Sequence, residues 1–241
     1  MIVRRMTDAI RTQDWVTVGV ELLIVVFGIL IAVEIDDWNE DRKNRSLEQR
    51  YLQRLQADMQ GTLDDSVAFT TWNERVISDQ EVILSALKSG SLAESNATAF
   101  DRGLVFLGEI NPPKRRWGTI EELKSSGTLG IIRNVELRSQ IAAVESEYER
   151  TSQIIEDLNQ QLILLRPIVQ PYFETVDFEL ALVPDVRVNH DFEAMTADPA
   201  VYTAISHIQR FSRTAVIFRE GHLERIQGLR DSVDLLLENK K

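Results

Sequence analysis

The stretch "LRSQIAAVESEYERTSQIIEDLNQQLILL" runs from Leu137 to Leu165. Leu137, Ile141, Val144, Tyr148, Thr151, Ile155, Leu158, Leu162 and Leu165 recur four and three residues apart without a slip. An α-helix turns once in about 3.6 residues, so this spacing gathers them on one side and leaves the charged residues on the other. Asn134 stands where an N-cap is needed, and Pro167, which lacks the N–H of the helix ladder, is expected to stop the helix. A stripe this long must be covered. A two-stranded coiled coil would cover it, but an intramolecular bundle is favoured, because other long helices are available in the same chain.

The next such helix begins at Asp198, an N-cap followed by Pro199 at the first helical position. Val201, Ile205, Ile208, Ser212, Ala215, Arg219, His222, Ile226, Leu229, Val233 and Leu236 follow the same rhythm, and Phe211 and Phe218 widen the face. Arg219 and His222 interrupt that stripe with polar groups. They read as a hydrogen-bonded core histidine with its neighbour, as the point where the stripe rotates, or as a site for an anionic ligand between helices.

Upstream, Leu47, Tyr51, Leu55, Met59 and Leu63 repeat at fours, and Phe69, Val76, Ile83 and Leu87 continue more loosely. Ser46 and Gln49 have capping-box spacing, so either a break between Asn39 and Ser46 or an unbroken helix fits. Lys88 to Ser95 reads as a loop, and Asn96 as the N-cap of a short helix over 97–107. Pro112 and Pro113 turn the chain. Thr119 with Glu122 predicts a capping box, and Gly127 a C-terminus, for a short helix over 120–126. Lys114, Arg115, Arg116 and Trp117 form a basic patch that either touches an acidic partner or lipid phosphate, or balances nearby carboxylates. Residues 167–198 are expected to be irregular, with short turns of helix, and to cap one end of the bundle.

The N-terminal region is different. Of the 18 residues from Val16 to Val33, 13 are Val, Leu, Ile or Phe, with Trp15 and Trp38 at either side. A helix from Trp15 to Trp38 would be roughly 34 Å long, close to the ~30 Å hydrocarbon core of a bilayer and its interfaces, where tryptophan prefers to sit. A cleaved signal peptide is the competing reading, but no A-x-A site precedes the acidic residues Glu34, Asp36, Asp37, Glu40 and Asp41. The expectation is therefore an uncleaved transmembrane helix over 15–38. Thirteen strong apolar residues favour insertion by about 5 kcal/mol, against about 3 kcal/mol at most for the one charge, Glu21. Glu21, Val25, Gly28, Ala32 and Ile35 share a face on which Gly28 and Ala32 form a small-xxx-small pair suited to helix packing. Glu21 then either meets a partner helix or reaches back to the near interface. Residues 1–14 read as a short amphipathic segment on the membrane surface, with Ile2, Val3, Met6 and Ile10 to one side.

The formal charge of −11 argues against general nucleic-acid binding. There is no cysteine, hence no disulfide, thiolate nucleophile or cysteine metal site. His190, His207 and His222 stand outside the H-E-x-x-H and E-x-x-H arrangements, and no Walker A, G-x-G-x-x-G or G-x-S-x-G motif occurs. Neither catalytic residues nor cofactor or metal ligands are expected.

The stretch "ELLIVVFGILIAVEIDDWNEDRKNR", through Gly28, Ile29, Asp36, Asp37, Trp38, Asn39, Glu40 and Arg42, resembles a widespread group of uncharacterised bacterial inner-membrane proteins. They carry a single N-terminal span followed by a Trp-Asn-Glu motif. "EELKSSGTLGIIRNVELRSQIAAVESEY" resembles the group's middle segment more loosely. The resemblance implies a single-pass topology and an inner-membrane home, and no activity. Arg4, Arg5 and Arg11 before the span and Arg42, Lys43, Arg45 and Arg50 after it leave the positive-inside rule undecided. Long domains translocate largely regardless of charge, and an acidic one gains nothing from the anionic cytoplasmic leaflet, so a periplasmic C-terminal domain is expected.

The expected fold is all-α: one transmembrane helix and, over 39–241, an antiparallel bundle of about three long helices joined by short ones. The expected function is non-enzymatic, an accessory or scaffolding subunit of a larger membrane complex, of respiratory or photosynthetic type for instance. Its partners would be the lipid bilayer and other membrane subunits or further copies of itself. The alternative is a periplasmic ligand-binding sensor acting through a separate partner, a class that normally adds a second span and a cytoplasmic output.

Overall fold

The computed structural model describes residues 15–177 and 187–239; at 15–19, 21, 68, 176, 177 and 187 it describes the backbone alone. The expected interfacial segment 1–14 lies outside the described residues. The described chain is all-α apart from one small ribbon, with helices α1 (Trp15–Ser89), α2 (Ala97–Val105), α3 (Gly118–Ser125), α4 (Val135–Val169), α5 (Phe192–Ala197) and α6 (Pro199–Glu238). Strands β1 (Phe173–Asp177) and β2 (Arg187–His190) form the ribbon. The chain divides into two units, residues 1–50 and 51–241.

In the first unit, α1 is continuous through residues 39–46, where a break was one of two expectations. No proline or glycine interrupts Ile29–Gln60, and Asp41 and Arg45 pair at 2.9 Å one turn apart. Twelve large apolar side chains from Val20 to Ile35 are 44–65% exposed, on every side of the helix.

In the second unit the predicted stripes are buried. Leu137, Ile141, Val144, Thr151, Ile155 and Leu162 of α4 are inside, as is every predicted stripe residue of α6 from Val201 to Val233. The burial falls into two apolar cores. One joins Ile83 and Leu87 of α1, Phe100 and Leu104 of α2, Ile155, Leu162 and Val169 of α4 and Val201, Ile205 and Ile208 of α6. The other joins Leu52, Leu55 and Met59 of α1, Ile120 and Leu123 of α3, Leu137, Ile141 and Val144 of α4 and Ile226, Leu229 and Val233 of α6.

This pairing corrects the expected antiparallel order. Early α1 meets early α4 and late α6, so in the second unit α1 and α4 run the same way and only α6 opposes them. Residues 90–134 make this possible: α2 lies in the first core and α3 in the second, so the connection carries the chain back along the bundle. Close packing of α2 on α1 needs Gly103, where a Cβ would lie 3.0 Å from the Asp79 carbonyl oxygen. Arg102 beside it donates twice to Asp79, both at 2.6 Å.

Helix ends follow the prediction in part. Asn134 accepts from the Leu137 N–H at 2.8 Å and Asp198 from that of Ala200 at 2.8 Å, both as N-caps. Gly127 takes φ +70°, and the bonds Thr128 N–H to Leu123 and Gly127 N–H to Lys124 close α3 in a Schellman arrangement. Three expectations fail. Asn96 makes no side-chain cap bond, because α2 is entered through a 3-10 turn at Glu94–Asn96. The Thr119–Glu122 capping box does not form. Instead the Asp58 carboxylate on α1 accepts from the Thr119 N–H at 2.9 Å, while Glu122 turns to Arg54 and the Tyr51 hydroxyl. Pro167 does not stop α4, which runs on to Val169. The proline falls in the last turn, where losing one ladder bond costs least.

The segment after α4 is more regular than expected. β1 and β2 pair antiparallel, with Phe173 opposite His190 and Thr175 opposite Val188. Phe173 and Val188 sink into the first core, and the His190 ring lies 4.8 Å from that of Phe100.

Candidate functional site

Between the two cores the bundle has a polar waist. Thr62 and Ser66 of α1, Thr151 of α4 and Ser212, Arg219 and His222 of α6 are all buried. The small hydroxyls are the simpler part. Ser66 and Ser212 donate to the carbonyls one turn back, Thr62 does the same and also accepts from the Arg116 N–H at 2.9 Å. Such back-bonding lets a hydroxyl sit inside a helix bundle at little cost.

Arg219 is the demanding member. It is 4% exposed, and burial lowers its pKa to about 10, so it remains a cation at neutral pH. One terminal nitrogen donates to the Asn111 carbonyl, and the guanidinium lies 4.4 Å from the centre of the Phe69 ring. Among the described residues its Nε has no partner. Arg219 lines a narrow crevice of about 10 Å³ together with Asn73, Val76, Glu109, Ile110 and Ser212.

His222 is fully buried, and neither ring nitrogen has a hydrogen-bond partner. Burial lowers its pKa to about 4; Glu147 on α4 acts against that, and Arg115 and Arg225 reinforce it. Its ring lies 5.5 Å from that of Tyr148, and the Arg115 guanidinium lies over the Tyr148 ring at 4.1 Å and the Trp117 ring at 4.8 Å. His222 does not line the crevice at Arg219. The two residues that the sequence grouped therefore face different surroundings. Asn73, which does line it, stands four residues after Phe69 and three before Val76, a polar residue at an apolar position of the α1 stripe, and that signal was present in the sequence.

The basic patch is taken up by the fold. Arg116 donates twice to Asp65, both at 2.8 Å, and holds that carboxyl below its usual range. Arg115 approaches Glu121 at 3.8 Å. This is the carboxylate-balancing reading of the patch. Elsewhere, the Arg150 guanidinium holds Glu147 low, and the Tyr172 hydroxyl does the same for Asp198.

A larger cleft of about 460 Å³ opens beside Phe106, Glu109, Arg166, Gln170 and Phe173. Its cation is engaged, since Arg166 donates to the carbonyls of Leu107 and Gly108 at 3.2 and 2.7 Å. Among the described residues no cluster of histidine and carboxylate side chains has the arrangement to hold a metal ion.

The membrane-facing candidates lie in the first unit. Val25 is 58% exposed, Ala32 is exposed, and a Cβ added at Gly28 would meet nothing within 4 Å. Trp38 is 62% exposed. The side chains of Trp15 and Glu21 lie outside the described residues. Among the described residues no helix is long and apolar enough to cross a membrane; the expected span starts in residues 15–19, where side chains are not described. The chain matches no family model, no curated protein and no solved structure.

Proposed function

We propose that the chain is a membrane-anchored, non-enzymatic helical protein of the bacterial inner membrane. Residues 15–38 are its anchor, and it serves as an accessory or scaffolding subunit of a larger membrane complex. The observation that carries this reading is the all-round exposure of the apolar side chains from Val20 to Ile35. A one-sided apolar stripe is covered by a bundle, but a helix apolar on every side needs an apolar medium around it. The open notch at Gly28, one turn from Ala32, supports close approach of a second helix. Glu21, Val25, Gly28 and Ala32 would form the packing face, with Trp15 and Trp38 at the interfaces. The acidic domain would lie in the periplasm.

The sensor alternative draws on the cleft of about 460 Å³, a size that suits a small ligand. The accessory-subunit reading is preferred because the polar waist offers only about 10 Å³ and the cleft's arginine is already bonded to backbone.

Extraction in mild detergent followed by native sizing and mass spectrometry tests the proposal. The expected result is co-migration with a defined membrane complex, weakened by Gly28→Leu and by Glu21→Leu. A lone monomer or homodimer indifferent to both substitutions would refute it.

A further inference from the structure

A buried cation with no carboxylate beside it is costly, because low-polarity surroundings do not replace the water it has lost. Among the described residues Arg219 is in that position. The Asn111 carbonyl and the Phe69 ring offer it a dipole and a quadrupole, not a countercharge. Glu109 lines the same crevice, but it is exposed and its carboxylate accepts from the Asn111 amide at 3.5 Å. Two buried donors without partners, Arg219 Nε and Asn73 Nδ2, belong to residues that line this crevice. Two free donors beside a fixed positive charge suit an anion.

Size then selects the ligand. About 10 Å³ is close to the room that one water-sized guest needs, so a tetrahedral oxyanion or an organic acid does not fit, while a chloride ion, somewhat larger than water, enters with a small shift of the lining. We propose that Arg219 and Asn73 form an internal site for one monatomic anion of the size of chloride, lodged between α1 and α6 and closed by the loop at Glu109 and Ile110. The anion balances Arg219 and ties α1 to α6 at the level where the apolar core is interrupted. The site is independent of the membrane reading, since every residue in it belongs to the second unit.

The test uses the full chain in detergent micelles. Thermal unfolding is followed while sodium gluconate is exchanged for sodium chloride or bromide at constant ionic strength. The midpoint should rise with halide and level off, and Arg219→Met and Asn73→Leu should each remove that response. Should Arg219→Met fail to fold, Asn73→Leu and a bromide-soaked crystal of the unaltered protein decide the matter. An anomalous peak within hydrogen-bond reach of Arg219 Nε is expected. Glu109→Gln should leave the halide response in place. Equal midpoints in gluconate and halide with no bromide peak would overturn the proposal. So would a halide response that first arises in Glu109→Gln, which would make Glu109 the counterion.

Discussion

Val20 to Ile35 of α1 and the whole of α6 are both unbroken helix and both rich in branched apolar residues. In α6 the stripe positions repeat at fours and threes, and from Val201 to Val233 they are buried, while Ile217 off the stripe is 66% exposed. In the other stretch apolar residues occupy every side, and twelve large ones are exposed. The contrast is one of arrangement more than of hydrophobicity. A stripe can be satisfied by two neighbouring helices. A cylinder can be satisfied only by an environment, and nothing else among the described residues of the first unit covers it.

The comparison breaks most sharply at a pair of phenylalanines. Phe100 is fully buried in the first core, whereas Phe27 is 59% exposed. Phe100→Ala should cost about 3–5 kcal/mol of stability, read as a lower urea midpoint of Trp117 and Trp72 fluorescence. Phe27→Ala should leave that midpoint unchanged while weakening retention in the membrane fraction. Equal effects on urea stability would mean that the two regions are buried alike.

A second prediction sharpens the waist. His222 has its pKa lowered from 6.5 to about 4, so the folded state binds protons less readily than the unfolded one. Its contribution to stability is therefore complete above pH 6.5 and is lost as the pH falls towards 4, by about 3 kcal/mol over the full window. The charged groups that act on it are Glu147 of α4, Arg225 of α6 and Arg115 of the loop before α3. His222→Leu should flatten the stability curve between pH 6.5 and 4.5 in urea titrations. The lowered carboxyls, Asp65, Glu122, Glu147 and Asp198, lose their contribution only at lower pH, as each is protonated. A slope that survives the substitution would place the titration elsewhere.

The smallest expected effect concerns the cap that comes from outside its own helix. Asp58→Ala removes the acceptor for the Thr119 N–H and should cost about 1 kcal/mol. Faster hydrogen exchange confined to α3 is the accompanying signature, and protection unchanged there would deny Asp58 the capping role.

Much of this was legible along the chain. The stripes of α4 and α6, the caps Asn134 and Asp198, the turn at Gly127 and the all-round apolar segment follow from spacing and from local backbone chemistry, which act over a few residues. Arg219 and His222 stood out as polar groups in an apolar register, and Asn73 carried the same signal. The β1–β2 ribbon was not legible: its strands are short, are separated in sequence, and are held by Phe173 and Val188 reaching the first core. The true cap of α3 was hidden too, because its donor and acceptor are 61 residues apart.

Residue spacing alone specifies that the chain is helical, which faces are apolar, and that one segment is apolar on all of them, because helix periodicity is a local property. The assembled bundle settles that α4 runs with α1 and against α6, that Asp58 caps α3, and that Arg219 lines a crevice with Asn73 while His222 packs near Tyr148. Those outcomes depend on which distant side chains share a small volume, and close packing settles that only when all the helices are in place.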